Sequence, residues 1–221
     1  MAKEIKNENA EAVVEAVSKT EMFFKKNGKM LSIVACAVVL LTIGLFCWNK
    51  FIYVPAANEA KGIMAYAEQN FRNSNYEAAM NGTETELGFV EIIDTYGAKA
   101  GESVYFYAGL CELHLGNWES AINYFENYNG KDAILKARAI ACIGDSYVCL
   151  EKYEQALNYF VQASEVIDNV FAADYLFKAA LVAEKLGQND KALGFYETIK
   201  NKYPHSAVGY DIDKYIGRLQ K

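Results

Sequence analysis

The sequence predicts an all-α fold, a row of stacked helical hairpins with one long apolar helix ahead of it, on three observations. A helix–turn–helix pattern in residues 140–163 recurs 35 residues earlier and 36 residues later. Only two prolines occur in 221 residues, so little interrupts helix. The chain is rich in aromatics, with 16 tyrosines and 12 phenylalanines, and every tyrosine but Tyr53 lies beyond Pro55. That distribution suits rings that fill the space between repeated helices.

The clearest copy, residues 140–163, sets the frame. Apolar residues recur at three- and four-residue steps through Ile140, Ile143, Tyr147 and Leu150, then through Tyr153, Ala156, Leu157, Phe160 and Ala163, with Glu151-Lys152 between the runs. Gly144 and Ala156 stand where two helices approach closely, and Ile143, Tyr147 and Phe160 supply the bulk beside them. A single hairpin cannot bury both of its faces, so copies are required.

Residues 1–29 open the chain. Val13, Val14 and Val17, then Phe23 and Phe24, fall at roughly helical spacing among Glu11, Glu15, Lys19 and Glu21, which predicts a short amphipathic helix in a polar lead-in. A docking role for it is the alternative to a weakly ordered prelude. Lys25, Lys26 and Lys29 close the segment.

Residues 30–54 predict one transmembrane helix. Nineteen residues from Met30 to Trp48 carry no charge, and Phe51, Ile52, Tyr53 and Val54 resume the apolar character after Lys50. The lysines before the run, with Trp48 and Tyr53 suited to the far interface, put the N-terminus in the cytoplasm and residues 56–221 on the extracytoplasmic side of the inner membrane, although Lys50 and Lys61 reduce the asymmetry. A cleaved signal peptide fits less well, because the apolar run is long and 29 residues precede it. Ile33-Val34-Ala35-Cys36 has the form of a lipoprotein box but follows too few apolar residues to act as one.

Residues 56–221 predict the repeat domain. Upstream, residues 105–128 align Gly109 with Gly144, Trp118 with Tyr153, Ala121 with Ala156 and Phe125 with Phe160; downstream, Ala180, Ala192 and Tyr196 take the places of Gly144, Ala156 and Phe160. A fourth, weaker copy begins near Glu59, with Ala79 lying 42 residues before Ala121, and its extra residues are expected around Asn81-Gly82-Thr83. After Pro204, Ser206 is expected to cap a final helix over residues 207–219 whose Ile212, Tyr215, Ile216 and Leu219 shield the open end.

Charge and chemistry narrow the function. Residues 1–29 carry 6 basic and 5 acidic side chains and residues 30–221 carry 16 and 23, so the body is acidic and nucleic acid is an unsuitable partner. The five cysteines include no CxxC pair, and Cys142 and Cys149, seven apart on one helix, lie about 10 Å apart by helical rise, too far for a disulfide. Cys111 could meet either of them across a hairpin, but buried free thiols are the simpler reading. His114 and His205, the only histidines, accompany no nucleophile or metal-ligand pattern, and no phosphate loop or dinucleotide motif occurs. Neither an enzyme nor a cofactor or small-molecule substrate is expected.

A period close to 34, the helix–turn–helix pattern, the alanine in each second helix and Pro204 closing the last copy resemble the tetratricopeptide repeat family over about three quarters of the chain. Departures occur where Tyr105 and Ala108, then Ile140 and Ile143, stand for the family's early Trp and Leu, and where Ala183 replaces a Tyr. The resemblance implies a right-handed solenoid of about four hairpins plus a C-terminal capping helix. It also implies that inner helices line a concave groove for proteins or peptides. The family's groove positions fall on Phe106, Leu110, Leu113 and His114; on Arg138, Ala141, Asp145, Val148 and Cys149; and on Asp174, Phe177, Leu181, Glu184 and Lys185. Phe106, Leu110, Phe177 and Leu181 could equally pack against a neighbouring repeat or the cap. The set lacks the Lys, Arg and Asn cluster that would grip a terminal carboxylate. One anchor followed by an acidic repeat domain is similar in layout to the ancillary subunit of the bacterial Sec translocon, and the stretches GFVEIIDTYG (residues 88–97) and KYPHSAVGYDIDKYIGRL (residues 202–219) resemble membrane-anchored repeat proteins of Bacteroidetes-type bacteria. That resemblance implies translocon subunits and extracytoplasmic chaperones as partners; scaffolds for outer-membrane assembly and a cytoplasmic-side repeat adaptor are the alternatives.

Overall fold

Backbone hydrogen bonding decides most of this architecture, because the chain satisfies its polar groups almost wholly within helices. The computed structural model describes residues 21–97 and 99–220, and of residues 2–20 and 98 the backbone alone. The side chains of Val13, Val14 and Val17, on which the amphipathic lead-in rests, lie outside the described residues. The chain divides into two compact units, Met1–Pro55 and Ala56–Lys221.

The first unit is helix α1, Ala2–Trp48, followed by a π-helical turn, Asn49–Tyr53. Pro55 has no N–H to give the carbonyl of Phe51, and its ring would crowd that group in a regular helix. The wider turn just before it, in which the N–H of Val54 donates to the carbonyl oxygen of Asn49, relieves the conflict. Pro55 thus sits at the start of the next helix rather than ending structure at residue 54. The large apolar side chains from Met22 onward are exposed, among them Ile33 at 70% and Leu45 at 69%. An 18-residue window of this region has a mean hydropathy of 2.7 with none of it buried. It is long and apolar enough to cross a membrane.

The second unit is a helical solenoid. Helices α2 (Val54–Arg72) and α3 (Tyr76–Asn81) form the first hairpin, and α4 (Phe89–Tyr96) follows it. Helices α5 (Ser103–Leu115) and α6 (Trp118–Glu126), α7 (Ala133–Cys149) and α8 (Tyr153–Val166), and α9 (Val170–Lys185) and α10 (Asn189–Lys202) form the next three, and α11 (Ile212–Leu219) closes the stack. Ala79, Ala121, Ala156 and Ala192, the small residue of each second helix, are all 0% exposed. The close approach foreseen at Gly144 is real: a Cβ there would stand 2.7 Å from Cε1 of Phe160, and one at Gly109 would stand 2.8 Å from the same atom of Phe125.

The four hairpin turns share one mechanism. The first helix of each ends at a residue with positive φ (Ser74, Gly116, Glu151 or Gly187), and the N–H of the next residue reaches back five positions: Asn75 to Asn70, Asn117 to Glu112, Lys152 to Tyr147 and Gln188 to Ala183. This is the Schellman closure, which satisfies carbonyls the helix end would leave bare. The extra length of the first copy lies between Asn81 and Phe89, where Gly82 bridges Leu87 and a Cβ on Gly82 would meet the carbonyl oxygen of Glu86 at 2.3 Å.

The C-terminal helix begins later than residue 207. The Ser206 hydroxyl donates to the carbonyl of Tyr203 at 2.8 Å and accepts from the Gly209 N–H at 3.1 Å, closing a turn instead of capping a helix. A 3₁₀ turn, Gly209–Asp211, then leads into α11. Ile212 and Ile216 are buried, with Tyr215 and Leu219 packed on the same core.

Candidate protein-binding groove

Two helix N-termini shape the mouth of the groove. Asp132 accepts from the Leu135 N–H at 2.9 Å and Asn169 from the Phe171 N–H at 2.9 Å, which fixes the first turns of α7 and α9. Those turns carry Ile134 and Phe171, which are 45% and 47% exposed. Behind them a cleft of about 660 Å³ opens between α5, α7 and α9.

Eight of the positions in the predicted set line this cleft: Leu110, Leu113 and His114 from α5, Arg138, Ala141 and Asp145 from α7, and Asp174 and Phe177 from α9. The structure places the others elsewhere. Phe106 is buried at 4% exposure, with the Arg138 guanidinium 5.9 Å above its ring. Val148 packs against the core and Cys149 is exposed beyond the lining. Leu181 is exposed farther along α9. Glu184 accepts from Arg218 of α11 and from the Tyr196 hydroxyl, and Lys185 lies 5.6 Å above the ring of Tyr153. Phe177 also meets Tyr215 of α11 edge-on at 4.8 Å, so the capping helix occupies this end of the inner surface.

The cleft has six further lining residues: Ile134, Cys142, Phe171, Tyr175, Lys178 and Val208. Apolar residues in the first turn of each inner helix were the available signal for Ile134 and Phe171. Lys178 donates to both carboxylate oxygens of Asp145 at 2.7 Å. The two residues are 33 apart on neighbouring helices, so no local motif reveals them. Both partners are about a third or more exposed, and such a pair contributes about 0–1 kcal/mol. Its consequence is positional, since it holds the Lys178 amine on Asp145.

Burial raises the Asp174 carboxyl above its ordinary range, against the downward pull of Lys178. Burial also pushes the Cys142 thiol up to about 12, with Asp145 adding to the effect and Lys178 and Arg138 opposing it. That thiol stays protonated and is a poor nucleophile. His114 stacks flat on Tyr76 at 4.3 Å, which gives it a packing role at the edge of the cleft. Among the described residues no group of three or more His, Cys, Asp and Glu is arranged to hold a metal ion.

Comparison with known proteins agrees with this geometry. A tetratricopeptide repeat model matches residues 103–131 and 174–206. The crystal structure of the MamA protein superposes with a TM-score of 0.58 at 16% identity, over 73% of this chain and 82% of that one, a likeness of fold. A search of curated proteins finds no match. Two segments of the chain, residues 103–131 and 174–206, are thus similar to tetratricopeptide repeats, a repeat type that builds scaffolds for protein–protein interaction.

Proposed function

We propose that the protein is a membrane-anchored scaffold whose cleft between α5, α7 and α9 holds a segment of a partner protein, and that its partners are translocon subunits and extracytoplasmic chaperones. The observation that carries the binding reading is where apolar surface remains. Among the described residues of the second unit the exposed large hydrophobics are Ile134, Val170, Phe171, Leu181 and Tyr210, and Ile134 and Phe171 stand in the cleft lining itself. The exposed apolar side chains of α1 support the anchor, and the lysines ahead of it support an N-terminus in the cytoplasm. The choice of partners draws on the layout resemblance alone. An anchor confines the cleft to a thin layer beside the membrane, so micromolar contacts act at high effective concentration.

A photo-crosslinking amino acid at Phe171 in the full chain, in its own membrane, tests this reading. Adducts with translocon or chaperone components are expected. Adducts confined to outer-membrane assembly proteins would replace the partner assignment, and no adduct at all would remove the scaffold reading. Fusion of a reporter active only in the cytoplasm to the C-terminus checks the orientation, and activity there would reverse it.

A further inference from the structure

The inner face of α9 carries a stripe at helical spacing: Phe171, Asp174, Lys178 and Leu181, three, four and three residues apart. Its ends are apolar and exposed, 47% for Phe171 and 42% for Leu181. Its charged middle forms no direct pair, because the Lys178 amine is committed to both oxygens of Asp145 on α7 and reaches Asp174 only through its field. Among the described residues nothing hydrogen-bonds or ion-pairs with Asp174, which is half-buried and lines the cleft. A carboxylate taken partly out of water without a cation is costly, and a ligand that brings one recovers that cost. The other charge in the cleft lacking an ion pair, Arg138, is exposed and already faces the ring of Phe106. The surrounding field agrees in sign, since residues 56–221 carry 15 basic and 23 acidic side chains, which draws basic segments toward the cleft.

We infer that the cleft selects polypeptide segments in which a Lys or Arg stands between large apolar residues, the cation pairing with Asp174 and the apolar side chains covering Phe171 with Ile134 on one side and Leu181 on the other. This rests on the scaffold reading above and specifies its ligand. Selectivity resides in the charge pair, and the apolar rim supplies affinity that does not depend on sequence detail.

The test uses the full chain in detergent micelles and three fluorescent ten-residue peptides, identical except for a central Lys, Glu or norleucine set between leucines. The Lys peptide is expected to bind about tenfold more tightly than the norleucine peptide, the Glu peptide to bind weakest, and the Lys preference to shrink as salt rises. Asp174→Asn, which keeps shape and helix, should erase the preference while leaving the norleucine affinity in place. Phe171→Ala should weaken the Lys and norleucine peptides alike. Equal binding of all three peptides, preference for Glu, a Lys preference that survives Asp174→Asn, or no binding by any of them would overturn the inference. Crosslinking from Phe171 would still decide the scaffold reading in each of those cases.

Discussion

In the α7/α8 hairpin the ring of Phe160 lies against the bare backbone of Gly144, whereas 36 residues on the corresponding pair is Ala180 and Tyr196, and the tyrosine hydroxyl donates to Glu184. Both rings are buried, Phe160 at 1% exposure and Tyr196 at 0%. The residue in the place of Glu184 in the earlier hairpin is Val148, so the inner hairpin has no acceptor at that position and its Phe160 ring is sealed by packing. The outer hairpin adds a polar clasp: Arg218 of α11 donates to both Glu184 oxygens at 2.7 Å, and Tyr215 packs between Phe177 and Tyr196. The difference teaches how a repeat fold ends. A hairpin with a neighbour on each side can be sealed by shape, but the last one has only a short helix to cover it. Directional bonds then fix where that helix sits.

The steric seal should fail most visibly. Gly144→Val thrusts side-chain atoms into Phe160 and should cost about 3 kcal/mol, read as a lowered denaturation midpoint of the full chain, and Phe160→Leu in the same chain should return part of the loss. Ala180→Gly, at the place where the outer hairpin tolerates a methyl group, should cost only about 1 kcal/mol through helix propensity. Exchanging the polar element sharpens the contrast. Phe160→Tyr buries a hydroxyl beside Val148 with no acceptor and should cost about 1–3 kcal/mol, while Tyr196→Phe, which leaves Glu184 with Arg218, should cost about 1 kcal/mol. Adding Val148→Glu to Phe160→Tyr should recover stability, and failure to do so would mean that the outer clasp depends on α11 rather than on the Tyr–Glu pair.

Titration separates the hairpins again. Cys142 is raised from 9.0 to about 12 by burial, so the fold favours its neutral form: that contribution is complete below about pH 9 and is lost as pH rises toward 12. Its counterpart 36 residues later is Lys178. Alkaline unfolding followed by circular dichroism should therefore begin later in Cys142→Ala than in the parent chain. An unchanged onset would place the alkaline weakness elsewhere, with Tyr196, raised by burial and then by Glu184, the next group to test.

The hairpin frame was legible in the sequence because glycine against phenylalanine and alanine in each second helix are volume requirements, and volume repeats with the period. What the sequence hid was set by partners distant along the chain or by competing local bonds. Ser206 has the chemistry of a helix cap, but Tyr203 and Gly209 take its hydroxyl first, and α11 starts at Ile212. In the cleft, Leu110, Arg138, Asp145 and Asp174 were readable from repeat position, whereas Lys178 became visible only through Asp145 on the next helix. Glu184 and Phe177 occupy groove positions by repeat number, yet α11 engages both, and only the folded end of the chain reveals that.

The smallest expected effect lies in the turns, and there the two hairpins differ by one residue. The outer hairpin closes through Gly187 at φ 73°, while the inner one closes through Glu151 at φ 58°. A side chain in the left-handed region costs about 1–2 kcal/mol, and glycine removes that strain at the expense of about 0.4–1 kcal/mol in unfolded-chain entropy. Glu151→Gly should therefore stabilise the chain by about 0.5–1 kcal/mol, and Gly187→Ala should destabilise it by about 1 kcal/mol, each read from the denaturation midpoint. The substitution leaves the Lys152-to-Tyr147 bond untouched, because that bond belongs to the backbone. If Glu151→Gly brings no gain, the Schellman closure at the inner hairpin is held by the packing on either side of it, and the two hairpins are then alike in their turns and different only in how their aromatic rings are sealed.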